Sequence, residues 1–191
     1  MFTGREFVER LIQTGLGTPD TIMGCTESEI RHLEQSVGLT LPEKYKDFLR
    51  AAGKCAGGYH ISLDWLYPEL LVVKKDAVEL LNVMEHGRLS LPQKAFVCSK
   101  DTEGFAFFET GDALETGPIF SYYEERGHFT RVCDSFWEMV EKELTELSQN
   151  VSPRFIKDRH ESALNRVRKF KSLWFRVIDY LDSFAKSLPR N

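Results

Sequence analysis

The pattern of apolar and polar positions near the N-terminus predicts two capped helices. Thr3 and Glu6 have the spacing of a capping box, in which the hydroxyl and the carboxylate satisfy amides at a helix N-terminus. Thr26 and Glu29 repeat the motif, and Gly38 ends the periodicity that follows. The predicted buried residues are Phe7, Leu11, Ile30, Leu33 and Val37, with Val8 and Ile12 as further candidates in the first helix.

A third helix is predicted to begin at Pro42. Proline suits the first helical turn because its missing N–H would be unpaired there, and Glu43 favours the positive end of the helix dipole. Gly53 ends this helix. Its buried stripe comprises Tyr45, Phe48, Leu49 and Ala52.

In the middle of the chain the spacing of apolar residues changes from a helical pattern to short alternating and helical segments. Residues 61–65 alternate between apolar and polar side chains, which predicts a strand. A fourth helix is predicted from Lys75 or Asp76 to Glu85, with Leu80, Leu81 and Met84 buried. Four short β-type segments follow at 95–98, 105–108, 118–122 and 129–132, separated by hairpin-sized turns that predict antiparallel pairing.

A fifth helix is predicted after Asp134 as its N-cap. Its apolar face is formed by Phe136 or Trp137, Val140, Leu144 and Leu147. This order of helices, hairpins and a further helix predicts an α+β fold, with helices packed on a mostly antiparallel, curved sheet.

The last forty residues predict one long amphipathic helix. Its apolar seam consists of Ala163, Val167, Phe170, Trp174, Val177, Leu181, Phe184 and Leu188. Such a seam would not stay in water, which leaves three interpretations: the helix folds back on its own domain, pairs with a partner or a second copy, or lies on a membrane surface.

Charge divides the chain at the same place. Residues 1–150 hold 15 Lys and Arg against 25 Asp and Glu, a net charge of −10, whereas residues 151–191 hold 10 against 4, a net charge of +6. We therefore predict a main domain over 1–150 and a C-terminal helical extension over 151–191. The acidic main domain disfavours nucleic acid as a ligand.

Motifs that would indicate chemistry are missing from the sequence. It contains no phosphate-binding glycine loop, no histidine pair at metal-ligand spacing, and no serine or cysteine in a nucleophile motif. We therefore expect no cofactor, no metal and no catalysis, although a hydrolase site built from scattered carboxylates stays an alternative. The four widely spaced cysteines and the lack of an apolar leader or membrane-length segment predict a cytoplasmic protein without membrane association.

One stretch, residues 29–49, resembles the N-terminal signature of the SUKH superfamily, with Ile30, Leu33, Leu41, Tyr45, Phe48 and Leu49 at its apolar positions. Residues 92–97 with 104–108, then 117–123, then 132–140 resemble the family's later segments in the same order. The chain departs from the family pattern at Lys54-Cys55-Ala56 and in the helix after residue 153.

This resemblance implies a non-catalytic binding module with two possible roles. One role is an immunity protein that neutralises a protein toxin, such as a nuclease, by covering its active site. The other is an intracellular scaffold of the cell-wall-assembly regulator type, for which the 163–188 seam would support a homodimer. Seven residues were expected to be exposed near the binding groove and sheet edge, and they are the candidate partner contacts: Asp64, Trp65, Tyr67, Tyr122, Tyr123, Glu124 and Glu125.

Overall fold

The computed structural model describes residues 2–60, 62–150 and 153–187, without the side chains of residues 150, 153, 171 and 173–187. Its helices are α1 (Gly4–Gln13), α2 (Glu27–Val37), α3 (Glu43–Ala52), α4 (Val73–Glu85), α5 (Phe136–Asn150) and α6 (Pro153–Ser187). Its strands are β1 (Ile22–Met23), β2 (Cys55–Ala56), β3 (Ala95–Lys100), β4 (Gly104–Glu109), β5 (Ile119–Tyr123) and β6 (Thr130–Cys133). The predicted α+β class is confirmed.

The main sheet is a four-stranded antiparallel meander in the order β3-β4-β5-β6. This arrangement confirms the antiparallel pairing predicted from the short turns. The pairing register shifts between Val97 and Ser99 on β3 and between Ile119 and Phe120 on β5. Such irregularities bend a strand and increase its twist, which is compatible with the predicted curved sheet.

Aromatic side chains fill the core between the helices and one face of the sheet. The Tyr45 ring on α3 lies 4.8–5.7 Å, centroid to centroid, from rings of α3, β3, β4 and α5. These partners are Phe48, Phe96, Phe108 and Phe136, all at most 1% exposed. Because aromatic side chains bury large areas, this cluster is the main attachment of α3 and α5 to the sheet.

Helix α4 packs along β3 with a face that agrees only in part with the predicted one, because Leu81 is buried and Leu80 is half-buried. Its buried positions are Val73, Ala77, Leu81 and Glu85, spaced four residues apart. Met84 is 37% exposed, so its predicted burial is wrong. The helix also begins at Val73, two or three residues before the predicted start at Lys75 or Asp76.

The predicted capping boxes are present in part. Thr26 and Glu29 form the complete reciprocal pair, and Gly38 ends α2 with a left-handed φ of 68° that glycine adopts without strain. Ser135 rather than Asp134 caps α5, because the Ser135 hydroxyl accepts from the Glu138 amide at 3.2 Å. The Asp134 carboxylate instead pairs with an arginine, Arg131.

Helix α3 has no side-chain cap at Pro42. The amides of Glu43 and Lys44 donate instead to the carbonyls of Ala113 and Leu114, at 2.9 and 3.0 Å. The loop between β4 and β5 therefore satisfies the start of α3, a long-range solution that the local sequence does not reveal.

The predicted strand over 61–65 is wrong. Ile61 lies outside the described residues, Ser62 and Leu63 form a turn, and only Asp64 makes an isolated antiparallel bridge, with Lys100. Trp65 then enters the core, where its ring stacks on Phe48 at 5.0 Å. The alternation in this segment therefore reflects a turn followed by a buried anchor.

A short antiparallel ribbon, β1 with β2, was not predicted from the sequence. The first half of α6 packs against this ribbon. Ala163 and Val167 are 2% and 4% exposed and share a small cluster with Cys55 and Met23. This contact agrees with the fold-back interpretation for the start of the apolar seam.

Two arginines attach α6 through the backbone of the main domain. Arg159 donates to the Gly58 carbonyl at 2.8 Å, and Arg166 donates to the Lys54 carbonyl at 2.8 Å and to Glu69 Oε2 at 2.6 Å. A Cβ on Gly58 would lie 2.7 Å from the Arg159 Cβ, so the helix approaches too closely for a larger residue there.

The remainder of the seam is only partly described. Phe170 is half-buried, and the side chains of Trp174, Val177, Leu181, Phe184 and Leu188 lie outside the described residues. Ala163 and Val167 are covered by their own chain, so the predicted dimer seam does not include these two positions in this structure. The boundary between 150 and 151 stays a prediction.

Candidate protein-binding surface

Four of the seven predicted contact residues lie at one end of the main sheet. Asp64 is exposed and is joined to the last residue of β3 by two backbone hydrogen bonds with Lys100, of 2.8 and 3.0 Å. Tyr123, Glu124 and Glu125 follow at the end of β5, with Glu124 half-buried and the other two exposed. The antiparallel register therefore brings together residues that are sixty positions apart.

Two further carboxylates complete this surface. Asp101 and Glu103 form the turn between β3 and β4, where Asp101 Oδ1 accepts from the amides of Glu103 and Gly104 at 2.9 and 2.8 Å. The Glu124 amide donates to the Glu103 carbonyl at 3.1 Å and so joins the two turns. We call this surface the acidic sheet end: Asp64, Asp101, Glu103, Tyr123, Glu124 and Glu125.

Tyr123 is the aromatic residue of the acidic sheet end. It is 42% exposed and lines an open depression of about 490 Å³ with Glu103, Glu124, Glu125 and Arg126. Burial of part of the ring and the nearby Asp101 carboxylate raise the pKa of Tyr123. The phenol therefore stays neutral at physiological pH and offers both an apolar ring and a hydrogen-bonding hydroxyl.

The charge of the acidic sheet end is strongly negative. Its five carboxylates lie near two cations, Lys100 and Arg126. The Lys100 ammonium donates to the Asp101 carbonyl at 2.7 Å, and the Arg126 guanidinium lies 5.8 Å from the Tyr123 ring centroid. Negative potential therefore remains to attract a positively charged surface.

The exposure predicted for Trp65 and Tyr122 is wrong. Trp65 is 3% exposed and belongs to the core, and Tyr122 is fully buried. The Tyr122 ring stacks on Phe105 at 5.3 Å, and its hydroxyl donates to Glu85 Oε1 at 2.9 Å. Consecutive residues of a strand point to opposite faces of the sheet. Tyr122 and Tyr123 therefore cannot both point to the same side: Tyr122 is buried and Tyr123 is exposed on the other face.

Tyr67 lies away from the acidic sheet end. It is half-buried, its amide donates to the Gly53 carbonyl at 2.8 Å, and its carbonyl accepts from Arg166 at 3.5 Å. It therefore belongs to the region where α3 ends and α6 docks.

Asp101 and Glu103 are absent from the seven residues predicted to bind a partner. In the sequence they are a closely spaced acidic pair in a turn, which is typical of any solvated loop. The sequence nevertheless contained an indication of their position, because the hairpin turn at Asp101–Gly104 must lie beside the end of β5 once β5 pairs with β4. Pairing β4 with β5 would have placed both carboxylates next to Tyr123.

A second group of polar side chains surrounds a small internal space. Glu143 Oε2 accepts from the Tyr59 hydroxyl at 2.6 Å and contacts His60 Nε2 at 2.9 Å. The adjoining cavity is about 30 Å³ and is also lined by Trp65 and Cys98. This is the space of one water molecule and not of a substrate, so the group attaches α5 to the loop after β2.

The four cysteines are unpaired and buried. Burial raises the pKa of Cys25 to about 12 and that of Cys133 to about 11, and it also raises the pKa values of Cys55 and Cys98. Nucleophilic chemistry requires the thiolate, which these environments disfavour. The thiols therefore act as small core residues.

Neither metal binding nor membrane crossing finds support in the described part of the chain. Among those residues, no three His, Cys, Asp or Glu side chains are grouped as metal ligands would be. Over the same residues, no helix combines the length and hydropathy needed to cross a bilayer.

Comparison with known families agrees with this architecture. The SMI1-KNR4 cell-wall family model, SUKH_6, matches residues 27–139, which is more than half of the chain. The match begins at α2, covers the main sheet and its acidic end, and stops in the first turn of α5. No curated protein matches the sequence. The chain therefore belongs to the SMI1-KNR4 cell-wall family of the SUKH superfamily, a group of protein-interaction modules.

Proposed function

We propose that this protein is a cytoplasmic immunity protein that binds a protein toxin through the acidic sheet end and covers the toxin's active site. Family membership supports a non-catalytic binding role. The observation that carries the proposal is the exposed ring of Tyr123 beside the carboxylates of Glu103, Glu124 and Glu125, which line the same depression.

Charge supports the choice of partner. An enzyme that acts on a polyanion, such as a nuclease, presents a basic face around its active site. An acidic surface directed at that face accelerates encounter and disfavours neutral or acidic partners. Tyr123 would supply the anchor, because partly exposed tyrosines are common among the residues that dominate binding energy.

The first step is to sequence the reading frames beside this gene for a secreted protein with a toxic C-terminal domain, which would be the binding partner to test. Two charge reversals are then compared for binding to that domain. Glu125→Lys changes the acidic sheet end, and Glu79→Lys makes the same change at an exposed position of α4. We expect Glu125→Lys to weaken toxin binding at least tenfold in calorimetry, and Tyr123→Ala to weaken it further. Glu79→Lys should have no effect.

Two results would contradict the proposal. One is equal weakening by Glu125→Lys and Glu79→Lys, which would indicate only a general charge effect. The other is toxin binding that does not change between low and high salt, because steering between opposite charges must be screened.

A scaffold role is the alternative, favoured by the length of the apolar seam beyond the docked half of α6. Removing residues 172–191 keeps Ala163, Val167 and the two docking arginines while deleting Trp174 and the apolar positions after it. If the seam joins two copies, sedimentation will change from dimer to monomer in the shortened chain. If toxin binding persists in that chain, the seam is not the immunity surface.

A further inference from the structure

A groove of opposite charge lies at the other end of the β3–β4 hairpin. The acidic sheet end adjoins Lys100 and Gly104, whereas the groove adjoins Lys94 and Thr110, where the hairpin opens. Six-residue strands at about 3.3 Å per residue place the two sites roughly 20 Å apart. One partner could therefore occupy the groove without covering the acidic sheet end.

Two adjoining depressions form the groove. The larger, of about 510 Å³, lies between the α2–α3 connection, the start of α4 and the β4–β5 loop. The smaller, of about 260 Å³, runs along α4 and the segment before β3. Lys74 and Gln93 line both. We call the combined feature the basic groove.

Lys74 occupies an unfavourable position for its own fold. It stands in the first turn of α4, where the helix dipole disfavours a cation. Burial lowers the pKa of Lys74, and its ammonium donates only a 3.3 Å hydrogen bond to the Gln93 carbonyl. No ion pair joins it to a carboxylate in the described part of the chain, so no negative charge neutralises it there.

Asp112, the acidic residue that lines the larger depression, does not neutralise the charge of Lys74. Asp112 Oδ1 accepts from the amides of Leu114 and Glu115, at 2.6 and 3.1 Å, and holds its own turn. Lys94 adds a second exposed cation on the same wall. The described lining therefore carries two lysines and one carboxylate, and that carboxylate is already hydrogen-bonded within its own turn.

The smaller depression supplies an apolar wall beside Lys74. Leu81 is buried at this wall, Leu89 and Leu91 are half-buried, and Val78 is 39% exposed. A cation next to an aliphatic trough matches a ligand that carries a carboxylate next to a large aliphatic side chain.

We propose that the basic groove binds an extended peptide segment of a protein partner, with an acidic side chain at Lys74 and an aliphatic side chain against Val78. The two depressions are open to solvent, and their volumes of about 510 and 260 Å³ leave room for side chains of an extended peptide. This site goes beyond the proposed toxin inhibition, because it is built from other residues and selects the opposite charge.

The test uses fluorescein-labelled peptides in which leucine alternates with aspartate, with leucine–lysine and serine–aspartate peptides of the same length as comparisons. We expect saturable anisotropy changes with the leucine–aspartate peptide, with a Kd on the order of 100 μM or tighter. The other two peptides should bind at least tenfold more weakly.

Matched variants locate the binding. Lys74→Glu should weaken the peptide at least tenfold, whereas Lys75→Glu makes the same change one residue away and should have no effect. Val78→Ser should also weaken it, whereas Val83→Ser, at a position 67% exposed on α4, should not. Lys74→Gln provides a milder replacement if the charge reversal disturbs folding.

Three results would overturn the proposal: no saturable binding of the leucine–aspartate peptide, equal effects of Lys74→Glu and Lys75→Glu, or equal binding of the leucine–lysine peptide. Concentration-dependent NMR shifts of groove residues without peptide would assign the groove to a second copy of the chain instead. Toxin binding should be unchanged in Lys74→Gln, so a failure here is distinguishable from a failure of the acidic sheet end.

Discussion

The hydroxyl of Tyr122 on β5 donates a 2.9 Å hydrogen bond to Glu85 Oε1 in the last turn of α4. Both residues are buried, with Tyr122 at 0% and Glu85 at 6% exposed. The other oxygen of Glu85 contacts Arg88 at 3.3 Å. This bond joins the end of α4 to the sheet on the face that also buries Val73, Ala77 and Leu81, whereas Met84, which the sequence pattern predicts to be buried, is 37% exposed.

Removing that hydroxyl should destabilise the fold. In Tyr122→Phe the buried Glu85 carboxylate loses a donor, so we expect the free energy of unfolding to fall by about 1–3 kcal/mol. Urea denaturation measures the change. Tyr123→Phe is the neighbouring control and should remain within about 0.5 kcal/mol of the parent. Equal stability of Tyr122→Phe and the parent would show that the bond contributes nothing.

Alkaline pH should weaken the fold through the same residue. Burial and the Glu85 carboxylate raise the pKa of Tyr122 to about 12, above the value of about 10 in an unfolded chain. Between these values the unfolded chain loses a proton that the folded chain keeps, so the contribution of this group to stability is intact below about pH 10 and falls as pH rises toward 12. The loss for this group approaches about 1.4 kcal/mol per pH unit.

Urea midpoints measured at pH 9 and pH 11 test this. Tyr45 and Tyr59 are also buried with raised pKa values, so they add to the decline in the same direction. The four buried thiols also have raised pKa values and add to it from about pH 8.5 upward. Tyr122→Phe should therefore reduce the pH dependence without abolishing it. A midpoint that rises with pH would contradict the assignment.

Arg166 should control how firmly α6 covers the ribbon. Its side chain bonds the Lys54 carbonyl and Glu69, and the buried thiol of Cys55 lies beneath the same stretch of helix, 3.8 Å from the Ala163 carbonyl. In Arg166→Ala we expect Cys55 to react with a thiol reagent at least tenfold faster, as judged by mass spectrometry of the labelled peptide.

Arg168→Ala is the matched control, because Arg168 is exposed on the same helix and, among the described side chains, its bond is to Asn165 of that helix, at 3.2 Å. It should leave the labelling rate of Cys55 unchanged. Equal acceleration in both variants would mean that the arginine contacts do not hold the helix in place.

Asp134 and Ser135 are the two adjacent candidates for the N-cap of α5, and alanine substitutions distinguish them. Ser135→Ala removes the hydroxyl that accepts from Glu138, so we expect a loss of about 1 kcal/mol. Asp134→Ala removes only an exposed ion pair with Arg131 and should cost less than about 0.5 kcal/mol. Thermal or urea unfolding that ranks them in the reverse order would restore Asp134 as the cap.

Local patterns in the sequence account for most of the helices and for the main sheet. The Thr26–Glu29 capping box, the Tyr45–Phe48–Leu49 stripe and the turn at Asp101–Gly104 each report their structure within a few residues. Such features depend on hydrogen bonds and periodicities that close over one or two turns, so neighbouring residues contain the information.

Long-range contacts explain the errors. The segment at 61–65 alternates like a strand, but the Trp65 ring is drawn into the core beside Phe48. The exposed member of the Tyr122–Tyr123 pair depends on which face of β5 meets α4. Asp101 joins the candidate site only because β3, β4 and β5 end together.

Composition and periodicity by themselves determined the α+β class, the capped helices, the hairpin order and the acidic character of the main domain. Tertiary structure alone decided which carboxylates meet around Tyr123, that Lys74 is left without an ion pair in the described groove, and that α6 covers Cys55. The physical reason is distance along the chain. Propensity and capping act between near neighbours, whereas surfaces and buried pairs form only when separate elements pack together.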